Sequence, residues 1–256
     1  MDMETRRQQL MHHIIAHNTI SVNQLIEIMQ ESPATIRRDL VFLEKNGYIS
    51  RTRGYVRHIQ PDIVNQIDIS VEKIAVAIKA AEMIPVGTTV FIDSGVSGLA
   101  LAQQIKERTD ITVYTNSLSV ANVLAATNVS TYMTGGFLEG RQEALVGPEA
   151  EAYIRSMRFP IVFLTTTGIR NPMSLACVTP FQANLKSSLI HSGEKVILLA
   201  DAAKFETDSL RVFGSFKDLS TVIVDSPIRS KEQVAALEKC GVEVIVARDA
   251  FVTDAV

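Results

Sequence analysis

The fold of the N-terminal part of this 256-residue chain is decided by one stretch, residues 32–44, which reads Ser32-Pro33-Ala34-Thr35-Ile36-Arg37-Arg38-Asp39-Leu40-Val41-Phe42-Leu43-Glu44. Ser32 followed by Pro33 favours a helix start, because the serine oxygen can accept from an unpaired backbone N–H and proline at the first helical position loses no hydrogen bond. The apolar residues Ile36, Leu40 and Leu43 recur with helical spacing and share one face. The stretch therefore predicts an amphipathic helix.

Two further helical patterns precede this helix, and a basic hairpin follows it. Apolar residues with helical spacing predict a first helix over residues 5–17, and Ser21 is placed to cap a second helix. After the third helix, residues 48–57 alternate bulky and basic side chains around Gly54, which is typical of a β-hairpin. Three short helices and a hairpin predict a winged helix-turn-helix domain over residues 1–57.

The third helix is also the predicted DNA-reading element. With Ile36 on the core side, Arg38 points nearly the opposite way, and arginine pairs bidentately with guanine in the major groove. Arginines of the hairpin would contact phosphates or the minor groove. Any one of these arginines alone is more often an ordinary solvated side chain, but the ordered set favours double-stranded DNA as a partner. The predicted DNA-binding residues are Ser32, Ala34, Thr35, Arg37, Arg38, Arg51, Arg53 and Arg57.

Charge and composition agree with this division. The net charge is −3, but residues 1–60 carry +2 and the remainder −5, so the small domain is the part suited to a polyanion. No apolar run reaches the roughly 18 residues of a membrane span, and the first residues lack the pattern of a secretion signal. The two cysteines have neither metal-ligand nor redox spacing. We therefore expect a cytoplasmic protein without a membrane partner, metal or cofactor.

We expect a linker over residues 58–70 and a second domain over residues 71–256, because the pattern of apolar residues changes between these segments. Short β-branched runs alternate with amphipathic stretches after Gly87, and this alternation predicts an α/β domain with a mostly parallel sheet covered on both faces. The predicted strands are Thr88 to Ile92, Ile111 to Tyr114, Val129 to Met133, Ile161 to Leu164, Lys195 to Leu199, Thr221 to Val224 and Val242 to Val246.

Polar loops at successive strand ends predict a ligand site in this second domain. Ligands of parallel α/β sheets bind beyond the C-terminal ends of the strands, and small residues at a helix start let backbone N–H groups approach an anion. Each loop alone is more often a plain turn, but their repetition favours one shared anion site. The predicted effector-binding residues are Asp93, Ser94, Gly95, Val96, Ser97, Thr115, Asn116, Ser117, Gly135, Gly136, Thr167, Gly168, Lys186, Asp201 and Lys204.

Residues 32–44 and the following Gly47-Tyr48-Ile49-Ser50-Arg51 resemble the signature of the DeoR family of bacterial sugar-metabolism regulators. The family's wing usually carries two glycines where this chain has Gly54-Tyr55. The resemblance continues through the polar loops of the second domain, although Val96, Ala203 and Arg170 depart from the family pattern. It implies a sensor domain similar to ribose-5-phosphate isomerase and the coenzyme A transferases, with a phosphorylated sugar or polyol as ligand.

The prediction is thus a DNA-binding repressor of a carbohydrate-utilisation operon, relieved by its ligand and acting as a homo-oligomer (dimer or tetramer) that places paired reading helices on a repeated operator. One alternative is a sugar-phosphate isomerase, which would need a carboxylate base near a lysine; Asp93 and Asp201 are the candidate bases. We do not expect an enzyme, because the Thr167 to Arg170 segment lacks the acid of the related isomerases. A second alternative is a domain that has lost its ligand and acts through protein contacts.

Overall fold

The structure is a computed structural model, and it describes residues 3–17, 19–45, 49–52, 54–58, 69–140, 143–170 and 172–247. The chain divides into two compact units, Met1–Gln66 and Ile67–Val256. Most of the expected linker lies outside the described residues, as does Arg53, so the predicted boundaries at 57 and 70 remain predictions. Among the described helices, none is long and apolar enough to cross a membrane.

The smaller unit is a winged helix-turn-helix, as predicted. Its helices are α1 (Met3–His17), α2 (Val22–Met29) and α3 (Pro33–Lys45), and its strands are β1 (Thr19–Ser21), β2 (Ile49–Thr52) and β3 (Tyr55–His58). The strands form an antiparallel sheet in the order β1-β3-β2, and β2 and β3 are the predicted hairpin. The side chains of Ile36, Leu40 and Leu43 are buried in the core of this unit, which confirms the predicted inner face of α3.

Local hydrogen bonds explain where α2 and α3 begin. The Ser21 side chain accepts from the Gln24 backbone N–H while the Gln24 side chain accepts from the Ser21 N–H, so a capping box starts α2. The Ser32 hydroxyl accepts from the Thr35 N–H at 3.1 Å at the start of α3. The short strand β1 was not predicted, because three residues carry too little alternation to be distinguished from a loop.

A buried carboxylate joins α1 to α3. Asp39 is 1% exposed, and it accepts from Arg6 Nε at 2.6 Å and from Arg7 Nε at 2.8 Å. Burial raises the pKa of Asp39, but the hydrogen bonds and charges of the two arginines outweigh it and hold that pKa below its ordinary value. The Arg7 guanidinium also lies 3.7 Å from the centroid of the Phe42 ring. These arginines of α1 therefore serve the fold of the unit.

We expect acid to destabilise this unit through Asp39. A carboxylate whose folded pKa is lowered contributes stability that is complete above the unfolded value of about 3.9 and is lost as the pH falls through the folded value. The Asp39→Asn variant should lose roughly 1–3 kcal/mol at pH 7 and should show a smaller decrease in stability between pH 5 and pH 2.5. Urea unfolding across this pH range measures both, and an Asp39→Asn variant with the wild-type pH dependence would contradict the assignment.

The larger unit is built on a parallel sheet. Its sheet strands are β4 (Thr89–Ile92), β5 (Thr112–Thr115), β6 (Ser130–Met133), β9 (Phe159–Thr165), β12 (Gly193–Ala200), β14 (Thr221–Val224) and β15 (Glu243–Val246). They pair in the order β15-β14-β12-β9-β4-β5-β6, and every pair is parallel. Each of the seven predicted apolar runs coincides with one of these strands, which confirms the predicted fold class.

Helices cover both faces of this sheet. They are α4 (Val71–Glu82), α5 (Val96–Ile105), α6 (Leu118–Ala125), α7 (Pro148–Arg155), α8 (Pro180–Ser192) and α9 (Lys231–Lys239). Alternate strand residues enter different cores: Ile161 and Phe163 pack in the cluster that includes α4, α5 and α6, whereas Val162 and Leu164 pack in the cluster that includes α7, α8 and α9. Burial on both faces explains why the strands read as continuous apolar runs.

Two smaller antiparallel sheets in this unit were not predicted. One is the hairpin of β7 (Phe137–Glu139) and β8 (Ala144–Val146), and the other is the sheet of β10 (Gly168–Arg170), β11 (Ser174–Cys177) and β13 (Arg211–Ser215). These strands have three to five residues each, and β13 pairs with β11 across more than thirty residues of chain. Their pairing depends on tertiary contacts that a sequence pattern does not reveal.

Candidate functional site

The outward face of α3 presents two arginines. Arg37 and Arg38 are exposed, and neither has an ion-pair partner among the residues that the structure describes. Ala34 is exposed beside them, whereas Thr35 is half-buried with its hydroxyl 2.8 Å from that of Ser32. Among the side chains that the structure describes, the positive charge that α3 offers to an external partner comes from Arg37 and Arg38.

The arginines of the wing differ in their surroundings. Arg51 donates to Glu44 from Nε at 2.9 Å and from Nη2 at 2.5 Å, and these contacts lower the pKa of the Glu44 carboxyl. Arg57 is exposed on β3. Arg53 lies outside the described residues. Arg51 must therefore leave or share Glu44 to contact a phosphate, whereas Arg57 needs no such exchange.

A cavity of about 230 Å³ opens in the larger unit. Its walls come from the segments that follow β4 and β9 and from α4, α8 and the 3-10 helix Ala202–Glu206. Its lining residues are Lys73, Ser94, Gly95, Val96, Ser97, Thr165, Thr166, Thr167, Val178, Gln182, Lys186 and Lys204. The cavity lies at the C-terminal edge of the parallel strands, which is the edge where a ligand site is predicted from the sequence.

A buried ion pair forms the floor of this cavity. Lys186 donates from Nζ to Asp93 Oδ2, to the Thr165 carbonyl oxygen at 3.1 Å and to Thr165 Oγ1 at 3.0 Å. Asp93 is fully buried, and its Oδ2 also accepts from the Thr165 backbone N–H at 2.9 Å. Its Oδ1 has no hydrogen-bond partner in the structure. The pair thus fixes Lys186 at the cavity and ties β4, β9 and α8 together.

The loop after β4 lets the start of α5 face the cavity. Gly95 has φ 129°, a conformation that residues with a Cβ rarely adopt. A Cβ on Gly98 would lie 2.2 Å from the Asp93 carbonyl oxygen, so only glycine allows the helix to pack this closely on the strand end. The first N–H groups of a helix have no partner within the helix and carry a partial positive charge. They are donors suited to an anion.

Lysines give the cavity a positive character. Lys73 donates to Asp201 Oδ2 at 2.7 Å, and Lys186 is paired with Asp93. Lys204 is half-buried and has no ion-pair partner among the described residues. The described lining contains no carboxylate. Lys204 is therefore the lining lysine whose ammonium group no described carboxylate pairs with.

The structure brings seven of the predicted effector-binding residues to the cavity wall: Ser94, Gly95, Val96, Ser97, Thr167, Lys186 and Lys204. Asp93 lies directly behind the wall. Asn116 does not line the cavity but holds the wall residue Ser94, since Asn116 Oδ1 accepts from the Ser94 N–H at 3.0 Å. Thr115 donates its hydroxyl to the Ile92 carbonyl oxygen, and Ser117 caps α6. The polar loop after β5 therefore shapes the site without lining it.

Four other predicted residues lie off the wall. Gly135 and Gly136 have positive φ and turn the chain from β6 into the β7–β8 hairpin. Gly168 lies against the Thr207 backbone, where the next N–H donates to Thr207 O at 2.8 Å. Asp201 pairs with Lys73. Each of these four positions has structural contacts of its own.

Five lining residues were not predicted: Lys73, Thr165, Thr166, Val178 and Gln182. Thr165 and Thr166 follow the apolar run of β9, so a strand extended by one residue would have placed them at the edge. Lys73 and Gln182 occupy first turns of α4 and α8. Their position at the cavity depends on how these helices pack, which the sequence alone does not show.

Two family models match the chain. The model described as the DeoR-like helix-turn-helix domain matches residues 6–62, and the model described as the DeoR C terminal sensor domain matches residues 69–226. The second match covers the whole cavity.

Curated relatives match over four fifths or more of the chain. The glycerol-3-phosphate regulon repressor of Escherichia coli (strain K12) is 30% identical over 81% of this chain and 85% of its own length. The transcriptional repressor AccR of Agrobacterium fabrum is 30% identical over 82% and 85%. The HTH-type transcriptional regulator GlpR of Haloferax volcanii is 29% identical over 94% and 96%. All three are named as regulators.

Solved structures resemble part of the chain. A ribose 5-phosphate isomerase A from Methanocaldococcus jannaschii matches with a TM-score of 0.38 and 10% identity over 52% of either chain. The eIF2B delta of Chaetomium thermophilum matches with a TM-score of 0.42 and 15% identity, over 70% of this chain and 58% of its own. Likenesses of this degree carry no statement about chemistry.

Proposed function

This chain belongs to the DeoR family of transcriptional regulators, and from that premise we propose that it represses a carbohydrate-utilisation operon and leaves the operator when a phosphorylated sugar or polyol fills the cavity. The observation that carries the ligand half is the cavity itself: lysine ammonium groups, hydroxyls and a helix start, with no carboxylate in the described lining. Such a site favours an anion.

The exposed arginines of α3 support the DNA half. A recognition helix contacts base edges with residues near its N-terminus, and Arg37 and Arg38 occupy the second turn of α3. Neither is held by a carboxylate in the described part of the chain. We assign base reading to Arg38 with Ala34, Thr35 and Arg37 beside it, and backbone contacts to Ser32 and the wing arginines Arg51, Arg53 and Arg57.

The relatives' names support the class of ligand. One relative is named for glycerol 3-phosphate, a phosphorylated polyol, and the cavity described here has the donors that a phosphate group requires. We assign the phosphate to Lys204, Lys186 and the start of α5 around Ser94, Gly95, Val96 and Ser97, with Thr167 beside them.

The isomerase alternative finds little support in the site. Asp93 is fully buried and its Oδ2 is occupied by Lys186 and Thr165, and Asp201 is occupied by Lys73. A general base must reach the proton that it removes. The described wall offers no such carboxylate, and the curated relatives are regulators, so we treat the cavity as a sensor.

Two further features belong to the proposal. We expect a homodimer or homotetramer, because paired reading helices on a repeated operator require at least two copies. We place the protein in the cytoplasm, where the operator is, with residues 1–57 as the DNA-binding domain, 58–70 as the linker and 71–256 as the sensor domain.

One experiment separates the sensor, enzyme and ligand-free readings. Thermal unfolding and turnover are measured on the full chain against about twenty sugar and polyol phosphates. Stabilisation without turnover supports the sensor, and turnover supports the isomerase. The absence of both stabilisation and turnover supports a domain that acts through protein contacts alone. A ligand present at 100 times its Kd adds about 2.7 kcal/mol of stability, so the signal is large.

Lys204→Ala should abolish the response to the ligand and leave the affinity for operator DNA unchanged. Lys204 lines the cavity and makes no ion pair with the described residues, so its loss removes attraction for the anion without leaving a buried carboxylate unpaired. The matched control is Lys106→Ala, which removes an exposed lysine at the far end of α5. A Lys204→Ala protein that still leaves DNA at the wild-type ligand concentration would remove Lys204 from the site.

A further inference from the structure

One residue of the cavity wall, Gln182, carries a side-chain amide. Gln182 lies in the first turn of α8, one turn before Lys186, and both side chains line the cavity. The lysines and the start of α5 offer hydrogen-bond donors. Gln182 is 6% exposed and carries both a donor and an acceptor, so the orientation of its amide decides what it offers to the cavity.

The orientation of this amide is set by Glu139. Gln182 Nε2 donates to Glu139 Oε2 at 2.7 Å, and an ionised carboxylate only accepts hydrogen bonds. The amide nitrogen must therefore face Glu139. The β7 strand that carries Glu139 is fixed against α8 by a second contact, since the rings of Phe137 and Phe181 meet edge to face with centroids 4.8 Å apart.

The carbonyl oxygen of Gln182 is left for the cavity. It accepts no hydrogen bond from the described residues and keeps some solvent exposure, and it belongs to a residue that lines the cavity. The neighbouring hydroxyls are already used: Thr165 donates to the Ser94 carbonyl oxygen at 2.6 Å, and the Thr166 hydroxyl is shared between the carbonyl oxygens of Gly168 in β10 and Ala176 in β11.

We propose that Gln182, held in place by Glu139, determines ligand specificity by accepting a hydrogen bond from a hydroxyl group of the ligand. This inference rests on the proposed function, because it assumes that the cavity binds a phosphorylated sugar or polyol. A carbonyl oxygen repels phosphate oxygens and attracts an uncharged O–H donor. A site that accepts from a hydroxyl discriminates strongly against ligands that lack one, since its buried acceptor is then left unpaired.

The test compares ligands with and without hydroxyl groups. The affinities of the full chain for inorganic phosphate, sn-glycerol 3-phosphate, ribose 5-phosphate, glucose 6-phosphate and fructose 6-phosphate are measured by calorimetry. Gln182→Met keeps the length of the side chain and removes the acceptor. It should weaken the tightest sugar or polyol phosphate by about 10- to 100-fold and change the affinity for inorganic phosphate by less than about twofold. Asn184→Met, an exposed position on the same helix, is the matched control.

Glu139→Gln tests the positioning role separately. A glutamine at 139 can donate to Gln182, so the Gln182 amide can turn and present N–H groups to the cavity. We expect the ratio of sugar-phosphate to inorganic-phosphate affinity to fall by about tenfold, while the melting temperature stays near that of the wild type. A residue with a merely structural role would change the melting temperature and leave this ratio unchanged.

The outcomes distinguish this inference from the function on which it rests. Unchanged or uniformly weakened binding of every ligand by Gln182→Met, in a protein that still binds sugar phosphates, overturns the role of Gln182 and leaves the sensor function intact. A wild-type protein that binds inorganic phosphate as tightly as any sugar phosphate also overturns it. A wild-type protein that binds none of the probes refutes both.

Discussion

Arg38→Ala should lower the affinity for operator DNA by about 10- to 100-fold, the effect of losing one bidentate contact with a base. Arg38 is exposed on the face of α3 opposite the buried Ile36 and has no internal ion pair in the described structure. Its removal therefore costs the fold little, and the loss should appear in DNA binding alone. Specificity at one base position should relax as well, because the contact reads a base edge.

The measurement is a fluorescence anisotropy titration of labelled promoter DNA at two salt concentrations. Arg229→Ala is the control, because it removes an arginine that is 82% exposed on the larger unit, and it should leave the affinity unchanged. Arg57→Ala should weaken operator and unrelated DNA to a similar degree, as expected of a phosphate contact. An Arg38→Ala protein that binds the operator as tightly as the wild type would exclude α3 as the reading helix.

Lys186→Met should destabilise the larger unit by about 3–5 kcal/mol, because it leaves the buried Asp93 carboxylate without its cationic partner. Lys186 and Asp93 are 6% and 0% exposed, so solvent cannot replace the lost interaction. In a unit of this size the melting temperature should fall by about 10 °C. The variant should also lose its response to sugar phosphates, since Lys186 lines the cavity.

A double variant separates the two effects. Removing both charges of a buried pair costs much less than removing one, so Asp93→Asn in the Lys186→Met background should restore at least half of the lost stability. The response to ligand should stay absent, because the ammonium group is still missing. If the single variant melts like the wild type, or if the double variant is less stable than the single one, the pair does not hold the floor of the cavity as described.

Much of the fold could be predicted because the parallel strands are buried on both faces. Apolar runs such as Val90 to Ile92 and Val222 to Val224 leave no polar alternation that would suggest another structure. The helix-turn-helix was equally clear, since Ser32, Pro33 and the Ile36 face specify α3 locally. The β7–β8 hairpin and the β10-β11-β13 sheet escaped prediction because their strands are short and pair through tertiary contacts.

The candidate site was predicted only in part, for a related reason. Ser94 and Lys204 reach the cavity because they closely follow strands whose ends are fixed by the sheet topology. Asn116 has the same polar character, but its amide oxygen accepts a hydrogen bond from the Ser94 backbone N–H and does not line the cavity. Conversely, Lys73 and Gln182 sit in helices whose rotation about their axes is set by packing. The order of strands and helices in the sequence predicts which residues lie at the edge of the sheet. Which helix side chains point into the cavity can be seen only in the structure.

The coupling of the two units is tested most directly by one titration. The full-length protein is bound to labelled promoter DNA, and the sugar or polyol phosphate that most stabilises it against heat is added while anisotropy is recorded. We expect the wild-type protein to release the DNA, with the midpoint ligand concentration following the Kd of the ligand. The Lys204→Ala protein should stay bound to the DNA at every ligand concentration. DNA that remains bound to the wild-type protein at saturating ligand would contradict the proposal that the cavity controls the reading helix.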